Sequence, residues 1–217
     1  MKSKIFRILT TIGILSLLPI FMGQEECEIS ETYMKLIKQI NYKLSPPPGQ
    51  GKTYITHLSF LDARTQSTMA STEYAELINK VVEKGMAEAA KQNPQLALNE
   101  TGHIIKNTDE NVNKLINIVF DPNLTKNQKI DKIIAEIMNP NHVDVIVTGY
   151  YIDDINDPFI SVGLIVIVKH TKRIVAKNFQ FTKDEIICRD PISKKATLCD
   201  DAYDQIGQAF LELLELL

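Results

Sequence analysis

The hydrophobic positions of this chain change period several times, and each change marks an element. Ile29, Tyr33, Leu36, Ile37, Ile40 and Leu44 recur at steps of three and four, which gathers them on one face of a helix. Pro46, Pro47 and Pro48 stop that helix. The segment SPPPGQG reads as a stiff linker with a flexible end, setting an amino-terminal helix (24–51) apart from a domain that begins near Lys52. TYITHLSF, from Thr53, is rich in β-branched and aromatic residues and predicts a first strand, with a loop from Asp62 to Ala70 behind it.

Tyr74, Leu77, Ile78, Val81, Val82, Met86 and Ala89 return to helical spacing, with Ser71 as a candidate N-cap and Asn93–Pro94 as the stop. QLALNE predicts a short second strand. Thr108 caps a helix carrying Val112, Leu115, Ile116 and Val119. Thr125 and Gln128 have capping-box spacing for another, carrying Ile130, Ile133, Ile134, Ile137 and Met138 up to the barrier at Pro140.

Three strands follow, VDVIVTGYYI, FISVGLIVIVKH and RIVAKNFQF, with DDINDP and TK as hairpin turns between them. A last helix buries Tyr203, Ile206, Phe210, Leu213, Leu214 and Leu217, and Asp200 and Asp201 favour its start through the helix dipole. Alternation followed by a meander predicts an α/β fold: a mixed sheet of about five strands with helices packed against it.

The amino terminus carries a different signal. Lys2, Lys4 and Arg7 precede a largely apolar run from Ile8 to Met22, the pattern of a signal peptide over 1–23. A spanning helix needs about 20 apolar residues, and Gln24, Glu25 and Glu26 end this run before that length. Cleavage after Gly23 is favoured, and membrane association through an uncleaved leader stays open because Phe21 is bulky where a small residue is preferred. Cys27 follows Glu26, with Gln24 where an aliphatic side chain belongs, so it lacks the neighbours of a lipidated cysteine.

Roughly 190 residues remain after Gly23, enough for one domain with its own core. Loss of the three leader cations takes the formal net charge from −3 to −6, and no basic patch argues for nucleic acid. Cys188 and Cys199 bracket the polar segment RDPISKKATL. Export would let them pair, the alternative being two free thiols; Cys27 is then the odd one out.

Candidate chemistry is sparse. GQGKT at Gly49–Thr53 resembles the end of a phosphate-binding loop, but prolines precede it and a strand follows, so it reads as linker and no cofactor is expected. Asp153, Asp154, Asn156 and Asp157 could offer oxygens to a hard cation, yet the glycine and distal glutamate of an EF-hand loop are missing and Asx residues stabilise turns unaided. His57, His103, His142 and His170 share no metal-binding spacing, and no metal site is expected. His57, Ser59 and Asp62 form a conceivable base, nucleophile and orienter without a nucleophile elbow, and a packed or exposed strand histidine is the better reading. Arg64, in the loop after the first strand, and Tyr150 and Tyr151, after Gly149, are candidate partner contacts by position; alternation sends one tyrosine inward.

Two segments resemble a group of bacterial envelope proteins: the amino-terminal domain of TolB, the curli secretion protein CsgG, the flagellar accessory protein FlgO and the LpoB activator of penicillin-binding proteins. One is THLSFLD, with Phe60 and Asp62. The other is IIAEIMNPNHVDVIVTGYY, where a helix runs into Asp144 and an apolar strand ending in Thr148–Gly149. The resemblance covers Lys52 to Phe181, and it departs from the group at Thr171–Lys172, where a Thr-Gly pair is usual. It implies a TolB amino-terminal-domain-like fold over 52–217, a place in the periplasm or cell envelope, and binding to envelope proteins with no catalytic residues to transfer. Lipidated members carry their lipid on a mature amino-terminal cysteine, which Cys27 does not match, and the lengths here leave no room for CsgG's membrane-spanning hairpins. A soluble or peptide-anchored accessory domain fits best, with an oligomerising part of a secretion or surface-organelle apparatus as the alternative.

Overall fold

The computed structural model describes residues 31–69, 73–154, 156–189, 196–199 and 201–217. The leader, Cys27 and the expected cap Ser71 lie outside them. The sequence order of elements is realised: helix α1 (Glu31–Leu44), strands β1 (Thr53–His57) and β2 (Leu61–Asp62), helix α2 (Glu73–Gln92), β3 (Leu96–Leu98), helices α3 (Asp109–Phe120) and α4 (Lys126–Ile133), then β4 (Val145–Asp153), β5 (Phe159–Val168) and β6 (Arg173–Thr182). A short turn of helix, α5 (Lys183–Ile186), and a small hairpin of β7 (Ile187–Arg189) and β8 (Ala196–Leu198) precede α6 (Ala202–Glu215). Apolar periodicity is blind to α5, β7 and β8, because so few residues complete no repeat.

Among the described residues the main sheet runs β3-β1-β4-β5-β6, with β2 beside β4. β3, β1 and β4 are mutually parallel and β5 and β6 antiparallel, so the sheet is mixed, as alternation followed by a meander requires. α1, α2 and α6 cover one face, meeting Ile55, Val145, Val147 and Val166. α3 and α4 cover part of the other, meeting Leu58, Ile146, Ile165 and Ile167. β4 and β5 are therefore buried on both sides over much of their length, which accounts for their unbroken Val and Ile runs.

Caps fix the second helical layer. Thr108 accepts from the Asn111 amide, and Thr125 and Gln128 form the capping box their spacing predicts. The α4 helix ends differently from the sequence expectation: residues Ile134–Met138 widen into a π turn, closed by the Asn139 amide on the Ile134 carbonyl at 2.9 Å. Asp144 then ties three strands together. Its carboxylate accepts the Tyr54 amide of β1 at 3.0 Å and lies 3.7 Å from Lys169 at the end of β5. At the β5–β6 turn Lys172 adopts φ +50°, a left-handed conformation that glycine takes more readily than other residues.

The expected division into an amino-terminal helix with linker (24–51) and a separate domain (52–217) does not describe the packing. Tyr33, Leu36, Ile37, Ile40 and Leu44 of α1 lie in the same core cluster as α2, α6 and the sheet. Gly85 of α2 faces Leu36, Tyr33 and Ile40 of α1, and the Tyr33 hydroxyl donates to the Val81 carbonyl at 3.3 Å. The proline run is a turn, not a spacer: the Gln50 amide donates to the Pro47 carbonyl at 3.1 Å and Gly49 takes φ +84°. A helix whose whole apolar stripe needs cover finds it on the nearest exposed faces, and a short stiff connection directs it there.

Cys188 and Cys199 are joined across β7 and β8, with Cα atoms 4.9 Å apart. In the chain-entropy account a loop of this size contributes about 3 kcal/mol. The fold predicts that Ile37→Ala, at a fully buried α1 position, lowers the stability of the whole protein by about 2–5 kcal/mol in a single cooperative transition. Chemical denaturation read by far-UV dichroism checks this, and a separate early transition for α1 would contradict it.

Candidate functional site

The carboxyl ends of β1 and β4 converge where the sequence placed its candidate contacts. The first strand ends at His57, so only the first five residues of the predicted TYITHLSF strand are realised, and a two-residue strand that the sequence did not predict follows at Leu61–Asp62. The Leu58 amide still donates to Val147 at 2.9 Å, and pairing resumes with Leu61 and Asp62 opposite Tyr150 and Tyr151. Two glycines make the break possible. A Cβ on Gly149 would lie 2.4 Å from the Gly163 carbonyl and 3.0 Å from the Phe60 ring, so Phe60 rests directly on the backbone of β4. On the opposite face, a Cβ on Gly163 would lie 2.2 Å from Cε1 of Tyr150, whose ring therefore lies on β5. A Thr148 side chain buried beside them donates to the Ser59 carbonyl at 3.5 Å.

Asp62 is fully buried, and its carboxylate accepts the amides of Arg64 at 2.8 Å and Thr65 at 3.4 Å, an Asx turn. That turn holds Arg64 exposed at the tip of the loop. Further along the loop, the Thr68 hydroxyl and amide bond the Asp109 carboxylate at the start of α3, holding it below its usual pKa. The loop is thereby fastened to the helix that forms the other wall of the site.

Tyr150 and Tyr151 part company as alternation requires. Tyr151 is 1% exposed and belongs to the core under α2. Tyr150 is half-buried on the other face; its hydroxyl donates to Asn178 Oδ1 at 2.6 Å and its ring meets Phe120 edge-on at 5.4 Å. Leu61, Gln66, Asn113, Ile116, Phe120 and Tyr150 line a groove of about 280 Å3 between the loop, α3 and the sheet. Beyond Tyr150 this face has lost its helical cover: Ile152 is 44% exposed, Phe159 41% and Phe120 48%. Phe120 carried no sequence signal of its own, since it closes the α3 stripe one position past Val119.

The remaining polar candidates are occupied structurally. His57 is buried, desolvation pushes its pKa down to about 4, and its Nε2 has no hydrogen-bond partner among the described residues. The Ser59 hydroxyl accepts from Asn107 at 2.6 Å, and the Asp62 carboxylate accepts the amides of its own turn. In the acidic hairpin, Asp154 accepts the Asn156 amide at 3.0 Å and Asp157 the Phe159 amide at 2.9 Å. Asp153 is buried and paired at 2.5 Å with Lys183, which also donates to the Asp154 carbonyl at 2.6 Å. Folding brings His103 and His142, remote in sequence, to 6.0 Å between rings, and His103 stacks on Tyr54 at 3.6 Å. No group of three or more metal-ligating side chains occurs among the described residues.

Two outcomes follow from this geometry. Gly149→Ala sets a methyl against backbone and not against a movable side-chain tip, so urea denaturation is expected to show a loss of at least about 1–3 kcal/mol, the usual cost of overpacking. His57 holds its proton more weakly folded than unfolded, so the stability it leaves intact above pH 6.5 declines as pH falls toward 4, by up to about 1.4 kcal/mol per pH unit. Melting temperatures across that range should fall in the parent and flatten in His57→Leu.

No family model matches the chain, and no curated protein matches it in sequence. Among solved structures, the LpoB C-terminal domain from Escherichia coli is 10% identical at a TM-score of 0.30, covering 71% of this chain and 100% of that one. The LpoB C-terminal domain from Salmonella enterica is 6% identical at the same TM-score, with the same coverage. The chain is similar to these domains at that level only, and no family membership follows from it.

Proposed function

We propose that this protein is a non-enzymatic accessory module of the periplasm or cell envelope, exported through its amino-terminal leader, which docks on an envelope protein through the strip formed by Phe120, Tyr150, Ile152 and Phe159. The observation that carries the reading is this strip. Three large apolar side chains stand more than a third exposed beside the half-buried Tyr150, at the edge of an amide-lined groove. Large apolar side chains left exposed around one end of a sheet face are costly to leave in water and mark a protein contact, with aromatic residues as anchors and polar groups at the rim.

The joined cysteines support the compartment, because a disulfide across two short strands persists where thiols are oxidised. Penicillin-binding-protein activators and flagellar or secretion accessories, the roles implied by the sequence resemblance, are the kinds of activity such a module would serve. Arg64 and Tyr150 belong to the contact in this reading. Tyr151 acts from beneath, as core packing that sets the height of the strand.

The test is photo-crosslinking in the native cell, with a benzophenone side chain placed in turn at Phe120, Phe159 and Tyr42, the last being 78% exposed on α1. Phe120 and Phe159 are expected to give one discrete adduct that Tyr42 does not, and a mass measurement is expected to show a mature amino terminus after Gly23. Adducts of equal yield from all three positions, or an intact chain in the cytosol with reduced Cys188 and Cys199, would defeat the proposal.

A further inference from the structure

The long free edge of the sheet carries a second surface, joined to the apolar strip where Asn178 accepts the Tyr150 hydroxyl. β6 pairs with β5 at ten consecutive positions, Arg173 to Thr182, without a bulge. Among the described residues no backbone hydrogen bond reaches its outer side from any other element. Alternate amides and carbonyls along a strand of this length therefore point outward with no partner among the described residues. Protein edges of that kind are ordinarily blunted by proline, a bulge or an inward-pointing charge, since each is a template for another strand.

Two of those devices are absent and the third, an inward-pointing charge, is already paired within the chain. β6 has no proline, and its central cation is spent: Lys177 is bonded to Glu212 of α6 at 2.7 Å and lies 5.2 Å from the Phe179 ring. Arg173 donates to the Leu217 carbonyl, and Lys183, just past the strand, is paired with Asp153. No cation on or next to this edge is left without a partner in its own chain. Ala176, Asn178 and Gln180 are exposed on the uncovered face.

The residues of β6 also fit their own reverse. A two-fold axis normal to the sheet must pass midway between a residue and its own copy, because opposite positions point to the same face. Two centres keep nine residues in register. Centring on Lys177 sets that lysine against its twin, a like-charge pair. Centring on Asn178 sets Asn178 against Asn178, Lys177 against Phe179, Ala176 against Gln180, Val175 against Phe181 and Ile174 against Thr182. Those pairs place β-branched against aromatic, cation against ring and amide against amide, with no like charges among the nine positions.

We propose that β6 pairs antiparallel with β6 of a second copy of this chain about a two-fold axis at Asn178, joining two sheets into one. The experiment uses the full chain carrying Cys27→Ser, with the native disulfide kept. Light scattering is expected to give twice the protomer mass. Asn178→Lys and Asn178→Asp are each expected to weaken self-association at least tenfold, and an equimolar mixture to restore the dimer. The restored mass also shows that both variants are folded. Under mild oxidation Asn178→Cys is expected to cross-link to itself, because directly opposed Cα atoms sit about 4.5–5.5 Å apart, and Ala176→Cys only to Gln180→Cys. A monomer at every concentration, a dimer indifferent to both charges, or a self-cross-link at Lys177→Cys in place of Asn178→Cys would overturn the proposal. So would a β6 that captures an extended segment of another protein while the chain itself stays monomeric.

Discussion

Two aromatic rings, each lying on a glycine of the central strand pair, hold the carboxyl ends of β1 and β4 together. Phe60 occupies the place of a Gly149 side chain on one face, and Tyr150 that of a Gly163 side chain on the other. Because Tyr150 and Gly163 are directly paired across β4 and β5, the two contacts share one patch of backbone. Fixing Phe60 is what lets β1 break at Leu58 and resume as β2 beside β4. That in turn sets the Asp62 turn, the height of Arg64 and the wall of the groove. Glycine is needed at both places for room, with backbone conformation playing no part.

Around this centre, polar groups that burial would penalise are given work. Asp62 caps a turn, Asp144 ties the first residues of β4 to β1 and Asp153 neutralises Lys183. Removing one member of a buried pair leaves an uncompensated charge, so these contacts restrict the arrangement more than they strengthen it. His57 is handled by the other route, losing its proton to become a neutral core residue. Asp62 and Asp144 thus serve backbone amides, and Asp153 a neighbouring charge.

The module has two unfinished surfaces of different kinds. Where α3 ends at Phe120, its layer stops short of the outer half of β4 and β5, exposing side chains on a sheet face. At β6 the sheet stops short of closure, exposing backbone. A side-chain surface selects a partner by shape, whereas a backbone edge selects an extended strand and leaves register to the residues opposite. The two can be filled together, since one lies on a face and the other along an edge.

Much of this molecule was determined locally by its sequence. The helical stripes of α1, α2, α3 and α6, the Thr108 and Thr125 caps, and the order of three final strands are readable because period and capping depend on neighbours a few residues away. The alternation rule correctly sends one of Tyr150 and Tyr151 inward, without saying which. Tertiary structure alone decided what spacing cannot encode. It put α1 in the core and not at the end of a linker, gave Tyr151 to the side that α2 covers, brought His103 beside His142, and left Phe120 and Ile152 uncovered. Each of those depends on which layer packs where and how far it extends, and burial is a property of the partner surface as much as of the residue buried.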